Sequence, residues 1–265
     1  MFIKPHAVTA AVQDLVETRL AAAKIRVVGR GEHDGHDVDV QRIIDRHYAT
    51  IARYAMDWDA SKLTLGADAT NQFEAKYGVS WAAAVASGAV LNAVEARTKL
   101  ATDTAGVTAK WAAADKLKLA PGLYVGRDAA DGLYIVNGFY LSNRAKFTTP
   151  GKKVAWLSVE WDEADLPWKE FRAAFVGPTN PADAPPESLR GTILRDWKAL
   201  GLEAAPNTSD NGVHASAGPL EGLVERTVWL GASLDLDPFA LRLIAAGVPE
   251  AAVAPWLGNP TVTIE

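Results

Sequence analysis

Asn211-Gly212-Val213-His214-Ala215-Ser216-Ala217-Gly218-Pro219, with Glu225 shortly after, is the stretch that organises this chain. A short apolar segment ends on a histidine, a Gly-Pro pair opens a helix, and Leu220, Leu223, Val224 and Val228 give that helix one apolar face. The stretch therefore reads as a strand–helix junction presenting a histidine, with a carboxylate on the following helix. The bland alternative is a core histidine satisfied by Glu225, and Glu221 with Glu225 at i, i+4 is also the pattern of a solvated face.

Outward from this junction the chain alternates. Met1 to Lys4 is a short strand stopped by Pro5. Val8, Val12, Leu15, Val16 and Leu20 recur at helical spacing, so a helix is expected from about Val8 to Ala23. Ile25–Val28 is strand-like and ends near Gly29-Arg30-Gly31. The polar turn His33-Asp34-Gly35-His36 leads to a second amphipathic helix through Val40, Ile43, Ile44, Tyr48 and Ile51. From about Met56 alanine dominates, predicting helices around Thr70–Tyr77, Trp81–Leu100 and Thr108–Leu117. A hairpin turning at Asp131-Gly132 follows. Lys153 to Trp161 is a strand, Trp168–Phe175 a helix, and Pro186 opens a helix to about Leu200. The tail contains a helix at Phe239–Ala246 and runs out at Asn259-Pro260.

Bulk properties narrow the function. At 265 residues and 49% hydrophobic, the chain can bury a full core. A net charge of -5 argues against nucleic acid as the main partner, which requires a broad basic surface. With no cysteine there is neither disulfide framework nor thiolate chemistry, and a cytoplasmic protein is expected. The start lacks a long apolar h-region, so no signal peptide is expected. The Ala-rich run from Trp81 to Ala96 is too short and too polar to span a bilayer, so no membrane partner is expected. His33, Asp34, His36, Asp37 and Asp39 are better explained by a turn and a polar helix start than by a metal site. No Walker loop or G-x-G-x-x-G is present. His214 stands where a serine-hydrolase elbow needs its first glycine.

Five motifs then fall in one order: Ile3-Lys4-Pro5, His47-Tyr48, Gly177-Pro178-Thr179-Asn180-Pro181, Leu189-Arg190-Gly191 and Asn211-x-x-His214-x-Ser216. With Glu225 eleven residues beyond the histidine, the chain resembles the nucleoside diphosphate kinase family over about residues 1–55 and 150–232. The resemblance implies an α+β fold, with a ferredoxin-like β-α-β-β-α-β core. Residues 56–149 would then be an insertion, helical and then a hairpin, and 233–265 a C-terminal extension. It further implies a ping-pong phosphotransferase that moves the γ-phosphoryl of a nucleoside triphosphate, ATP as donor, through phospho-His214 to a nucleoside diphosphate. Glu225 would orient the histidine, and Ser216 would support it. Lys4, Tyr48, Arg172, Thr179, Arg190 and Asn211 would bind the nucleotide and its phosphates. Mg²⁺ is expected through the nucleotide phosphates rather than on protein ligands, and a homo-oligomer is compatible with the family. The sequence departs from the family at His214-Ala215-Ser216-Ala217, where the usual carboxylate is Ala217, and at Lys4-Pro5-His6-Ala7. Arg172 stands one position from the family spacing. Two alternatives follow: a catalytically weak nucleotide-binding interaction protein, and a phosphohistidine kinase with a non-nucleotide acceptor.

Overall fold

The structure, a computed structural model, describes residues 1–258. The expected end of the tail at Asn259-Pro260 lies outside the described residues. The chain begins β1 (Phe2–Ile3), α1 (Ala10–Ala22), β2 (Arg26–Asp34), α2 (Gly35–Val40), α3 (Ile43–His47) and α4 (Ala49–Ala52). It continues α5 (Ala67–Tyr77), α6 (Trp81–Ala86), β3 (Val90–Asn92), α7 (Ala93–Lys99) and α8 (Thr104–Ala113), then β4 (Asp115–Ala120), β5 (Leu123–Asp128), β6 (Leu133–Val136) and α9 (Tyr140–Thr148). It closes with β7 (Lys153–Glu160), α10 (Trp168–Glu170), α11 (Leu189–Asp196), β8 (Val213–His214), α12 (Pro219–Leu230), α13 (Pro238–Ala245) and α14 (Glu250–Val253). The class is α+β. No helix among the described residues is long and apolar enough to cross a membrane.

Two compact units result, one from Met1–Ile43 with Lys146–Leu257, the other from Ile44–Ala145. The first holds a sheet in the order β2-β7-β1-β8 with every neighbouring pair antiparallel. Because side chains alternate across a strand, this sheet has two distinct faces. Ile3, Ala155, Leu157, Val213 and Ala215 join Val12, Val16 and Leu20 of α1 and Leu189 and Ile193 of α11 in one core. Full burial of each large aliphatic side chain there stabilises the unit by about 1.5–3 kcal/mol. The alternate residues Phe2, Trp156 and His214 stand in register across β1, β7 and β8. Phe2 packs on His214 with ring centroids 4.7 Å apart and on Trp229 of α12 at 4.5 Å. The pleat therefore places His214 on the face covered by α12.

Several sequence expectations change. β2 does not stop at Gly31 but pairs with β7 as far as Asp34. Gly31 lies opposite Trp156, and a Cβ on it would meet the indole at 2.5 Å, so the glycine reads as room for that ring rather than as a strand end. His33, expected in a turn, lies in the strand and donates from Nε2 to the Trp229 carbonyl at 2.7 Å. Two breaks split the single helix expected through Val40–Ile51: Arg42 takes a left-handed conformation at φ 52°, and Tyr48 leaves helical geometry between α3 and α4. The helix expected over Trp81–Leu100 is interrupted at Gly88, φ 69°, and resumes after β3 with an Asn92–Glu95 capping box. The helix expected to reach Leu117 ends at Ala113, and Asp115–Ala120 joins β5 as a strand. The second unit thus carries its own sheet, in the order β3-β6-β5-β4, rather than helices followed by a lone hairpin. The turn at Asp131-Gly132 does join two antiparallel strands. Finally, α11 begins at Leu189 rather than Pro186, because Ser188 caps it by accepting from the Gly191 N–H at 3.1 Å.

Candidate active site

β1 and β8 are adjacent, so the chain just after β1 lies beside the loop that enters β8. The Lys4 N–H donates to the Gly212 carbonyl at 2.9 Å, and the Lys4 ammonium donates to the Ser209 carbonyl at 2.9 Å. The Gly212 N–H in turn donates to His6 Nε2 at 3.1 Å. His6 is therefore neutral at this ring nitrogen, and burial holds its pKa below the usual histidine value, with Lys4, Lys146 and Lys152 pushing the same way and Asp210 opposing.

His214 is fixed from α12. Its Nε2 lies 2.6 Å from Glu225 Oε1, and the Ser216 hydroxyl donates to Glu225 Oε2, also at 2.6 Å. Glu225 is 7% exposed, which removes the solvated-face reading of the Glu221–Glu225 pair. Glu221, one turn earlier, instead accepts from the Ala217 N–H. A carboxylate can only accept in this arrangement, so in the neutral ring Nε2 carries the proton and Nδ1 carries the lone pair.

Both backbone carbonyls flanking His214 are held by arginines. Arg190, 4% exposed, donates from Nη2 to the Val213 carbonyl at 2.9 Å and from Nη1 to the Gly177 carbonyl at 2.8 Å. Arg172 donates to the Ala215 carbonyl. The displacement of Arg172 by one position thus does not remove it from the site. Asn211, 2% exposed, donates from Nδ2 to the Thr179 carbonyl at 2.9 Å, while its Oδ1 has no hydrogen-bond partner among the described residues. The exposed Thr179 is tied to the site through its backbone carbonyl, which accepts from Asn211.

Eight of the nine expected residues, all but Tyr48, therefore lie in the first unit. Tyr48 belongs to the second, where it packs against Ala52, Tyr140 and their neighbours.

No protein-family model, curated protein or solved structure matches this chain. Function is accordingly read from the geometry. Lys4, partly buried, has its pKa pushed down to about 8, first by burial and then by Arg190 and Lys146, against the pull of Asp210. A partly desolvated cation beside other cations is a group that an incoming anion would relieve.

Two contributors escaped the sequence, and a third, Gly191, was quoted only as part of a motif. His6 sits two residues from Lys4, but nothing in its surroundings signals that it anchors Gly212. Lys146 lies inside the segment read as an insertion, yet its ammonium donates to Ser209 Oγ at 3.0 Å and to Asp210 at 2.9 Å. Gly191 is required for space: a Cβ there would fall 2.0 Å from the Pro185 carbonyl oxygen.

Proposed function

We propose that this protein is a phosphotransferase in which His214 accepts the γ-phosphoryl of a nucleoside triphosphate, ATP as donor, and passes it to a nucleoside diphosphate. The observation that carries the reading is the Glu225 carboxylate bound to both His214 Nε2 and Ser216 Oγ. This arrangement orients the imidazole and, in the neutral ring, sets the tautomer with the nucleophilic lone pair on Nδ1. As Nδ1 attacks, a nitrogen–phosphorus bond forms, the bond to the β,γ-bridging oxygen breaks, and the diphosphate leaves with that electron pair. The ring gains positive charge, which Glu225 offsets. Transfer to the acceptor runs the same steps in reverse onto a second diphosphate. Lys4 supplies charge toward the phosphates.

The strand order β2-β7-β1-β8, and the chain order of β1, α1, β2, β7, α11 and β8, support a ferredoxin-like core within the first unit. Mg²⁺ is a hard cation satisfied by phosphate oxygens and water, and when bound it would neutralise phosphate charge. Ala217 offers it no ligand and the Asp210 carboxylate is paired with Lys146, so in this reading it arrives on the nucleotide.

One observation favours the alternative of a weakly catalytic nucleotide-binding protein. Arg190 already spends three N–H groups on the Val213 and Gly177 carbonyls, the use expected of a structural clamp. Incubation with γ-labelled ATP and Mg²⁺ separates the two readings. Acid-labile, base-stable label that His214→Gln lacks is expected of the phosphotransferase; no label, or equal label in that variant, rejects it.

A further inference from the structure

The corner of the first unit beside the Asn211 loop collects more positive charge than one transferring phosphoryl group requires. Lys4 and Lys146 converge on a single residue: one ammonium bonds the Ser209 carbonyl oxygen, the other the Ser209 hydroxyl. Arg190 acts electrostatically on Lys4, and Lys152 acts on His6. Against these four cations, Asp210 is the carboxylate that acts on both Lys4 and His6, and it is paired with Lys146 at 2.9 Å. The chain as a whole carries a charge of -5, so this concentration is local and opposite in sign to the total. Each ammonium has three donors. The hydrogen bond of the Lys4 ammonium goes to a neutral carbonyl, which does not offset its charge.

We propose that Lys146 is a further phosphate-binding residue and that it and Lys4 form a clamp for an oligophosphate chain, so that the site recognises its substrates by linked phosphates. The proposal rests on the phosphotransfer reading above and adds to it a residue outside the motif set. Lys146 is held in waiting by Asp210, and the chain of phosphates replaces that carboxylate as its partner. A tripolyphosphate, with more oxygens and more charge than a single orthophosphate, is the better match to two ammoniums.

The test is calorimetric titration of the full chain with inorganic tripolyphosphate and, separately, orthophosphate, at one fixed ionic strength because such contacts are screened by salt. Lys146→Met is expected to weaken tripolyphosphate binding by about tenfold, the loss of one charge-assisted contact. It should change orthophosphate binding far less, and Lys146→Arg should restore most of the loss. Asp210→Asn is the deciding variant. If Lys146 binds phosphate, removing the competing carboxylate tightens tripolyphosphate binding. If Lys146 only pins the loop through Asp210, both variants weaken it alike, and the proposal falls. Unchanged binding in Lys146→Met, with wild-type melting, also overturns it. Labelling of His214 by ATP is scored in the same preparations. Wild-type label with unchanged Lys146→Met binding removes the clamp and leaves phosphotransfer standing. The expected binding pattern without label leaves the clamp and removes phosphotransfer.

Discussion

Replacing Glu225 with glutamine isolates the charge at the centre of the mechanism from the shape that carries it. In the native site one carboxylate accepts from His214 Nε2 and from Ser216 Oγ, each at 2.6 Å. A glutamine can still accept from the ring through its carbonyl, while its amide N–H donates to the serine hydroxyl, which turns to accept. Both hydrogen bonds survive and the fold is expected to hold. What disappears is the negative charge facing a ring that, in the proposed phosphotransfer, becomes positive. Two unit charges about 4 Å apart interact by about 4 kcal/mol at the effective dielectric of a protein site. If half of the ring charge has developed in the transition state, about 2 kcal/mol is lost, a slowing of roughly 30-fold.

The assay is the single-turnover rate of labelling by γ-labelled ATP, with thermal melting alongside. Glu225→Ala serves as the contrast. It removes the carboxylate that accepts from the ring N–H and from the buried serine hydroxyl, at about 1–3 kcal/mol for each hydrogen bond lost, and should lower melting as well as rate. Labelling by Glu225→Gln within about threefold of wild type would refute the reasoning, since that is far below the charge effect.

Three further predictions follow from the same structure. Gly191→Ala places a Cβ 2.0 Å from the Pro185 carbonyl oxygen, at the start of α11 where the backbone has little room to yield. It should destabilise by about 3 kcal/mol or more in denaturant unfolding, and a wild-type midpoint would contradict the packing. Lys4, with its pKa lowered to about 8, is charged below that pH and neutral above it. Tripolyphosphate affinity should therefore fall as pH rises through about 8, and binding near pH 8 to 9 should take up protons, read as a buffer-dependent binding enthalpy. The same shift makes stability rise with pH from about 8 up to the unperturbed value of 10.5, because the unfolded chain there binds the extra proton. A flat affinity profile across this range would rule out a role for the Lys4 charge.

The α+β class and most elements of the first unit were legible because their signals are local: helical spacing in α1, alternation in β7, Gly-Pro before α12. Where local signals misled, a long-range partner decided the outcome. Leu117 and Leu119 carry no helix breaker, yet Asp115–Ala120 is a strand because β5 pairs with it. Gly31 looked like a strand end because its requirement comes from Trp156, more than a hundred residues away. In the site, ordered motifs found His214, Glu225 and Ser216, whose contacts the sheet and α12 then supply. They could not show that Thr179 acts through its carbonyl, or that Arg172 and Arg190 hold the carbonyls on either side of the histidine. Lys146 carried no signal, because its partners Ser209 and Asp210 are distant in sequence and meet it only in the folded unit.

The central claim is that His214 carries the phosphoryl group on Nδ1, with Glu225 facing Nε2. Phosphorus and nitrogen magnetic resonance of the intact protein after incubation with ATP and Mg²⁺ reads both parts at once. The account predicts one phosphohistidine, at His214, substituted on Nδ1 and discharged by added nucleoside diphosphate. Phosphate on Nε2, on another residue, or on none would contradict it.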